Sequence, residues 1–141
     1  MPEVRRGSDR DAARRGKDLS EMQRLSILYF DDEPTCLEVF RATFADDYEV
    51  RTAVTLDEAR RALVEGPFDV VISDQVMPEI SGTAFLREVA RTHPQSIRVM
   101  LTGNACVGEL MGEIGTGFVE FFLPKPWSTD AMRQVFERAR L

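Results

Sequence analysis

Acidic side chains follow two apolar segments of this sequence and are its clearest chemical feature. Segment 25–30 runs into Asp31 and Asp32, and segment 68–73 runs into Asp74. Carboxylates that lie close together repel one another, and a bound cation relieves that repulsion. Carboxylate oxygens are the ligands that Mg²⁺ and similar hard cations prefer. The pattern therefore predicts an acidic metal site with one carboxylate free to react.

Two further polar residues follow later apolar segments. Thr102 comes directly after segment 97–101, and Lys125 comes after the next apolar segment along the chain. Of the 18 basic residues only Lys17 and Lys125 are lysines, and a compact ammonium suits a tight site better than a planar guanidinium. A hydroxyl and an ammonium beside a carboxylate and a metal can hold phosphoryl oxygens. Pro126 also allows a cis peptide bond after Lys125.

Strands and helices alternate from residue 25 onward, and this order predicts how the polar residues meet. The predicted strands cover 25–30, 48–53, 68–73, 97–101 and 118–123. The predicted helices cover 34–45, the stretch from Thr55 to Gly66, 82–92, 105–115 and 128–139. Short apolar strands separated by helices favour a parallel sheet that is covered on both faces. Ligands of such sheets bind at the carboxyl ends of the strands, where all the candidate polar groups fall.

Local signals mark the starts of three predicted helices. Pro34 suits a first helical turn, and Ser81 suits the N-cap of the helix over 82–92. Thr55 with Glu58 three residues later forms a capping-box pattern. Some acidic residues have the same structural explanation, since Asp31 could cap the first helix and Asp74 could belong to a turn.

Composition and charge limit the classes of protein that fit. The chain has 141 residues, 43% of them hydrophobic, which suits one globular domain. No apolar run approaches the roughly 18 residues of a membrane span, and no secretory signal is recognisable. Cys36 and Cys106 lie far apart without metal-site spacing, so we expect reduced thiols and a cytoplasmic protein.

The charge divides the chain into two parts. Residues 1–24 carry 7 basic and 5 acidic side chains, a net of +2, whereas the remainder carries 11 and 19, a net of −8. The polar segment 1–24 is predicted to be a flexible extension or a docking helix, and 25–141 a single domain. An acidic body argues against direct binding of nucleic acid, and nothing in the sequence indicates a membrane partner.

Five motifs, taken together, resemble the receiver domain of two-component response regulators of the chemotaxis type. In chain order they are Asp31-Asp32, Ser73-Asp74-Gln75-Val76-Met77-Pro78, Ser81-Gly82, Leu101-Thr102-Gly103 and Phe122-Leu123-Pro124-Lys125-Pro126-Trp127. The resemblance implies an α/β, flavodoxin-like, doubly wound (βα)₅ fold. Its five-stranded parallel sheet would have the strand order 2-1-3-4-5.

The resemblance also implies roles for the acidic residues. Asp74 would accept a phosphoryl group from a phosphohistidine on a sensor histidine kinase. Asp32, Asp74 and the backbone carbonyl of Val76 would bind Mg²⁺ directly, and Asp31 would bind it through water.

The remaining roles concern the phosphoryl oxygens and the response to them. Thr102 and Lys125 would hold the oxygens, and Thr102 would then move toward the site. Phe122 matches the aromatic residue that turns inward with that movement, although a core phenylalanine that never switches fits the sequence equally well.

Signalling would then pass through protein–protein contact. The face formed by the fourth predicted helix, the fifth strand and the fifth helix would present Val119, Phe121 and Trp127 to a downstream protein or to a second copy. Trp127 could instead simply cover the edge of the sheet. The fifth helix ends near residue 141, so we expect a stand-alone receiver without an output domain.

Two departures from the family pattern lead to hypotheses. Val76 has no polar group to orient attacking water, whereas Asn104 has one, so we expect the phosphoryl group to have a moderate to long lifetime.

Glycines are frequent in or beside the fourth predicted helix, at Gly108, Gly112, Gly115 and Gly117. Since each interior glycine costs about 1 kcal/mol relative to alanine, we expect this helix to be short or frayed and to rearrange on activation. Slow hydrogen exchange across 107–115 without phosphorylation would contradict that expectation.

Two rival functions use the same residues. A Mg²⁺-dependent aspartyl phosphatase of the haloacid-dehalogenase type places its nucleophile in an Asp-x-Asp pattern after the first strand, whereas Asp31 and Asp32 are adjacent. A receiver fold could also act as a docking module without phosphorylation, which the full set of site residues disfavours. We therefore predict a non-enzyme whose only chemistry is its own phosphorylation and dephosphorylation.

Overall fold

The computed structural model describes residues 24–103 and 117–140, which form alternating strands and helices. The strands are β1 (Ser26–Phe30), β2 (Glu49–Ala53), β3 (Val70–Asp74), β4 (Ile97–Thr102) and β5 (Phe121–Pro124). The helices are α1 (Pro34–Phe44), α2 (Leu56–Glu65), α3 (Gly82–Thr92) and α4 (Thr129–Ala139). Among the described residues, no helix is both long and apolar enough to cross a membrane.

All five strands belong to one parallel sheet in the order β2-β1-β3-β4-β5. The predicted fold class and strand order are therefore confirmed. The register pairs Phe30 with Ser73 and Asp74 with Leu101, so β1, β3 and β4 end at nearly the same level. The residues that follow these strands consequently lie along one edge of the sheet.

The sheet is buried on both faces, as parallel sheets usually are. Alternate residues of each strand point to opposite sides, and they divide between two hydrophobic clusters. One cluster joins the sheet to α2 and α3 and includes Phe30, Val71 and Met100. The other joins the sheet to α1 and α4 and includes Tyr29 and Phe40.

Side-chain caps fix where three helices begin. Thr55 and Ser81 accept hydrogen bonds from the backbone N–H groups of Glu58 and Ala84, at 3.1 and 3.0 Å, as the sequence predicts. Ser128 caps α4 in the same way. Helix α1 begins at Pro34 without a side-chain cap, so its start depends on the proline ring, which suits the first helical turn.

The beginning of β5 departs from the prediction, because the strand starts at Phe121 rather than at residue 118. The buried guanidinium of Arg98 hydrogen-bonds to the carbonyl of Phe118 and to the carboxylate of Glu120. The Glu120 N–H still donates to the Arg98 carbonyl at 2.9 Å, but the Arg98 N–H donates to the Glu120 carboxylate rather than to a backbone carbonyl. Val119 was expected on an exposed face, and this is wrong: it is only 5% exposed and belongs to the cluster under α2 and α3.

Several sequence predictions lie outside the described residues. They are the extension over 1–24 apart from Arg24, the helix over 105–115 and the roles suggested for Asn104 and the glycines in that stretch. Gly117 is described and has a φ of +79°, a left-handed conformation that favours glycine.

Candidate functional site

Asp31 directly follows β1 and is completely buried at the carboxyl edge of the sheet. Its Oδ2 accepts a hydrogen bond from the Tyr29 hydroxyl at 2.6 Å, and its Oδ1 accepts one from the Glu33 backbone N–H at 3.0 Å. The Asp31 N–H itself donates to the Ala53 carbonyl at 3.1 Å. Asp31 therefore does not act as a helix cap, because its carboxylate is engaged by a strand residue and by the turn before α1.

Asp74 is the last residue of β3 and is 9% exposed. Its backbone is covered by the start of α3, where the Gly82 N–H donates to the Gln75 carbonyl at 2.9 Å. A Cβ added to Gly82 would lie only 2.3 Å from the Asp74 carbonyl oxygen, so the close approach requires glycine. The packing of α3 against β3 thus fixes the backbone that carries the Asp74 carboxylate.

Lys125 connects the two carboxylates. Its ammonium Nζ lies 2.8 Å from Asp31 Oδ2, 3.4 Å from Asp74 Oδ2 and 3.7 Å from Glu33 Oε1. The Lys125 N–H donates to the Thr102 carbonyl at 2.8 Å, which extends the β4–β5 pairing and brings the side chain over the strand ends. The bond from Lys125 to Pro126 is cis, as the sequence allowed.

The surroundings of Asp74 and Lys125 raise the pKa values of both side chains. Burial, and then the charge of Asp31, raise the pKa of Asp74, and the nearby Lys125 opposes that rise. Burial alone would favour the neutral amine of Lys125, but the hydrogen bond and charge of Asp31 raise its pKa above the ordinary value. Asp74 is thus a carboxylate in an unfavourable negative field, next to an ammonium that keeps its charge.

Burial and the hydrogen bond with Asp31 raise the pKa of Tyr29, so its hydroxyl stays protonated and remains a donor. Burial and the hydrogen bond with Glu33 raise the pKa of the Cys36 thiol to about 11. Cys36 therefore remains a thiol at neutral pH and is a poor nucleophile.

Three carboxylates fit a divalent cation. Asp31, Asp32 and Asp74 each offer an oxygen, and these oxygens lie within 4.8 Å of one another. Three negative charges face the single ammonium of Lys125, so the cluster keeps an excess of negative charge that a cation would neutralise. The donor set consists of oxygen atoms alone, as Mg²⁺ and similar ions prefer.

The other predicted site residues take less central positions. Thr102 is the last residue of β4 and is half-buried. Val76 is 70% exposed. Phe122 is half-buried and packs against the cluster under α2 and α3. Trp127 is half-buried and contacts the rings of Phe40 and Phe44 in α1, with centroids 5.8 and 5.4 Å apart, so it packs against the cluster under α1 and α4.

Two further residues, which were not predicted as part of the site, help to build it. Tyr29 precedes Asp31 by two positions and therefore points to the same side of the sheet, but it reads as an ordinary aromatic residue of a buried strand. Gln75 holds the start of α3 through its side-chain oxygen, which accepts hydrogen bonds from the Thr83 N–H and hydroxyl at 3.2 and 3.1 Å. Strand alternation gave a signal for Tyr29, whereas nothing in the pattern identified Gln75.

Comparison with known proteins accounts for this arrangement. Residues 27–137 match the response regulator receiver domain family. The chain belongs to that family. A receiver domain protein from Clostridium thermocellum is 30% identical, with a TM-score of 0.76 over 82% of this chain and 94% of that one. The receiver fold and its family are therefore established together.

Longer proteins also contain a matching segment. The hydrogenase transcriptional regulatory protein HoxA of Cupriavidus necator is 27% identical over 117 residues, and the sensor kinase CckA of Brucella abortus is 32% identical over 136 residues. These matches cover 83% and 89% of the receiver chain, which spans only 24% of HoxA and 14% of CckA. The likeness therefore concerns the receiver portion of each relative.

The family match includes every strand and helix described here except the first residue of β1 and the last two of α4. It therefore contains Asp31, Asp32, Asp74, Thr102 and Lys125. In this receiver, the first, third, fourth and fifth strands each bring at least one of these side chains to the same edge of the sheet.

Proposed function

We propose that this receiver accepts a phosphoryl group on Asp74. The observation that carries the proposal is the position of Lys125, whose ammonium lies between the carboxylates of Asp31 and Asp74, 2.8 Å from one and 3.4 Å from the other. Asp31 is fully buried and engaged by three donors, from Tyr29, Glu33 and Lys125. Asp74 is buried as well but is less closely engaged, since Lys125 lies 3.4 Å from it, so of these two carboxylates it is the one with an oxygen available to react.

The acidic cluster would hold Mg²⁺. Asp32, Asp74 and the backbone carbonyl of Val76 are the proposed direct ligands, and Asp31 would act through water. When bound, Mg²⁺ would neutralise the carboxylates and the charge on the transferring phosphoryl group.

The donor would be a phosphohistidine on a sensor histidine kinase. One Asp74 oxygen attacks phosphorus, the new O–P bond forms, and the N–P bond breaks with its electron pair remaining on the histidine nitrogen. Lys125 and the Thr102 hydroxyl hold the phosphoryl oxygens while their charge develops, and this positioning is most of what the protein contributes to such a transfer. The product is an acyl phosphate at Asp74.

Phosphorylation would then alter a surface that a partner reads. We propose that Thr102 moves toward the phosphoryl group and that Phe122 turns inward with it, which changes the face formed by the predicted helix over 105–115, β5 and α4. A downstream protein, or a second copy of the chain, would bind that altered face. Phosphorylation replaces the single negative charge of the Asp74 carboxylate with a phosphoryl group that carries nearly two, a net gain of about one negative charge, and this local electrostatic change can shift such a two-state surface.

The proposed chemistry is confined to the receiver itself. We propose that it turns over no separate substrate and that it works in the cytoplasm, where sensor kinases carry their phosphohistidines. A generic aryl phosphate tests the rival phosphatase function, since a phosphatase would hydrolyse it repeatedly.

The direct test uses a small phosphodonor. The protein is incubated with Mg²⁺ and acetyl phosphate, and its intact mass is measured beside that of Asp74→Asn. We expect a gain of one phosphoryl group in the wild type and none in the variant. No gain in the wild type, in a solution that phosphorylates a known receiver, would contradict the proposal and favour a docking module that works without phosphorylation.

The residue at position 76 should set how long the phosphoryl group persists. Val76 is 70% exposed two residues after Asp74 and has no group that could orient water. An asparagine there could hold a water molecule for attack on the acyl phosphate, so Val76→Asn should speed dephosphorylation about tenfold, the effect of about 1.4 kcal/mol in the barrier. Loss of the phosphoryl mass after removal of the donor gives the rate.

Val64 provides the matched control, because it is also an exposed valine, 85% exposed on α2, and has no proposed role at the site. Val64→Asn should leave the dephosphorylation rate unchanged. A rate for Val76→Asn equal to or slower than that of the wild type would show that Val76 does not limit access of water.

A further inference from the structure

The hydroxyl of Tyr29 is a buried polar group whose contact lies inside the acidic site. Tyr29 is 0% exposed, and its hydroxyl donates to Asp31 Oδ2 at 2.6 Å. A distance of that length is typical of a charge-assisted bond between a hydroxyl and a carboxylate, which is roughly twice as strong as a neutral bond. None of the roles proposed above for the phosphoryl transfer uses this contact.

The position of the Tyr29 ring fixes the direction of its hydroxyl. Tyr29 and Asp31 are two residues apart along an extended segment, so both side chains point to the side of the sheet that faces α1. The Tyr29 ring packs edge-on against Phe40, with centroids 4.8 Å apart. Because the ring is enclosed in this cluster, the hydroxyl reaches Asp31 without freedom to turn elsewhere.

The bond acts on the same oxygen that holds Lys125. Asp31 Oδ2 accepts from the Tyr29 hydroxyl and, at 2.8 Å, from Lys125 Nζ, while Oδ1 accepts from the Glu33 N–H. The Tyr29 hydroxyl and the Lys125 ammonium both bind Oδ2 and therefore share its negative charge. Each donor thus weakens the attraction between Oδ2 and the other donor.

We propose that Tyr29 is a positioning residue, which orients the Asp31 carboxylate and limits its hold on Lys125 so that the ammonium remains available to Asp74 and to the phosphoryl group. The inference rests on the proposed phosphorylation of Asp74. Without the hydroxyl, Oδ2 would keep Lys125 as its sole donor among the contacts described, and the ammonium would be drawn toward Asp31. The phosphoryl oxygens would then lose part of their positioned positive charge.

Tyr29→Phe removes the hydroxyl and keeps the ring in its packing. We expect the rate of phosphorylation by acetyl phosphate at saturating Mg²⁺ to fall about tenfold, within the range that mispositioning of a catalytic group produces. The dissociation constant for Mg²⁺, followed by the fluorescence of Trp127 beside Lys125 and Pro126, should change less than threefold, because the proposed direct ligands are untouched. A changed Mg²⁺ affinity with an unchanged rate at saturation would overturn the inference.

The chain offers a matched control in its other tyrosine. Tyr48 is 3% exposed in the same cluster and donates its hydroxyl to Glu137 Oε2 at 3.1 Å, away from the site. Tyr48→Phe therefore also deletes a tyrosine–carboxylate bond, but it should leave the phosphorylation rate within twofold of the wild type. Equal rates for the two variants would show that Tyr29 has no role beyond packing.

A spectroscopic readout does not depend on the folding of Tyr29→Phe. In Tyr48→Phe, Tyr29 is the single tyrosine, so ¹³Cζ labelling of tyrosine gives one resonance from its phenol carbon. That resonance should shift on phosphorylation, because Lys125 leaves Oδ2 for the phosphoryl group and the Tyr29 bond strengthens. A resonance that stays in place while the intact mass shows phosphorylation would overturn the inference and leave the proposed function standing. Failure of the wild type to gain a phosphoryl group would overturn both.

Discussion

Replacing Asp74 by asparagine should stabilise the metal-free protein and at the same time abolish its phosphorylation. Asp74 is only 9% exposed, and burial and the charge of Asp31 raise its pKa. A raised pKa means that the charged form is less stable in the folded chain than in the unfolded one. Asparagine keeps the shape of the side chain and removes that unfavourable charge, while Lys125 keeps its shorter contact with Asp31, at 2.8 Å.

The pH dependence follows from the direction of the pKa shift. Because the folded pKa of Asp74 is raised, its contribution to stability is fully present below the ordinary aspartate pKa of about 3.9 and is lost as pH rises through the folded value. The advantage of Asp74→Asn should therefore grow as pH rises from about 4 and level off once the pH exceeds the raised pKa of Asp74.

Thermal unfolding in a chelator and in excess Mg²⁺ measures both effects. Without metal, we expect the melting temperature of Asp74→Asn to exceed that of the wild type by a few degrees at pH 7. Mg²⁺ should raise the melting temperature of the wild type strongly, since a ligand at 100 times its dissociation constant adds about 2.7 kcal/mol. It should raise that of the variant much less. A variant that is less stable without metal would contradict our account of the charge balance.

Gly82→Ala should cause a large loss of stability from a single added methyl group. The new Cβ would lie 2.3 Å from the Asp74 carbonyl oxygen and 2.8 Å from Met100 Sδ. The clash with the backbone of β3 cannot be relieved by rotating a side chain, so α3 must move away from the sheet. We expect the free energy of unfolding to fall by about 3 kcal/mol, the upper part of the usual range for overpacking, and phosphorylation to slow because the Asp74 backbone shifts.

Gly103 supplies the control for that experiment, because a Cβ added there would meet no atom of the residues that the structure describes within 4 Å. Urea unfolding of both variants gives the free energies from the midpoint and slope. Gly103→Ala should change the free energy of unfolding by less than about 0.5 kcal/mol, as surface substitutions usually do. A similarly small change for Gly82→Ala would mean that α3 does not need its close approach to Asp74.

Most of the fold could be predicted from the sequence because local and long-range signals agree. Apolar strands, the caps at Thr55 and Ser81, and helices between consecutive strands all lead to a parallel sheet. The carboxyl ends of such strands meet at one edge, so Asp31 and Asp74 could be placed together before any coordinates were known. The same reasoning correctly placed Lys125 beside them.

The details that were not predicted depend on contacts between residues distant in sequence. Nothing near Phe118 in the chain indicates that its carbonyl accepts a hydrogen bond from the buried guanidinium of Arg98, or that β5 begins only at Phe121. A valine at position 119 fits the sequence pattern whether it faces a partner or the core. Its burial is decided by the packing of residues distant in sequence. For Tyr29, strand alternation puts the side chain on the same side of the sheet as Asp31, but only the packing of the ring shows that the hydroxyl reaches the carboxylate.

The two buried carboxylates show how position divides the chemistry between identical groups. Asp31 is surrounded by donors and is held in place, whereas Asp74 has a longer contact with Lys125 and carries the raised pKa. Environment, rather than residue type, therefore assigns the positioning role to one aspartate and the reactive role to the other.

The most direct test of the account is chemical trapping of the acyl phosphate. The protein is treated with acetyl phosphate and Mg²⁺ and then with sodium borohydride, which reduces a phosphorylated aspartate to homoserine. Peptide mass spectrometry then identifies the position that was modified. We predict homoserine at position 74 alone, and only when Mg²⁺ is present. Homoserine at position 31 or 32, or none at all beside a receiver that is trapped under the same conditions, would contradict the assignment of Asp74 as the phosphoryl acceptor.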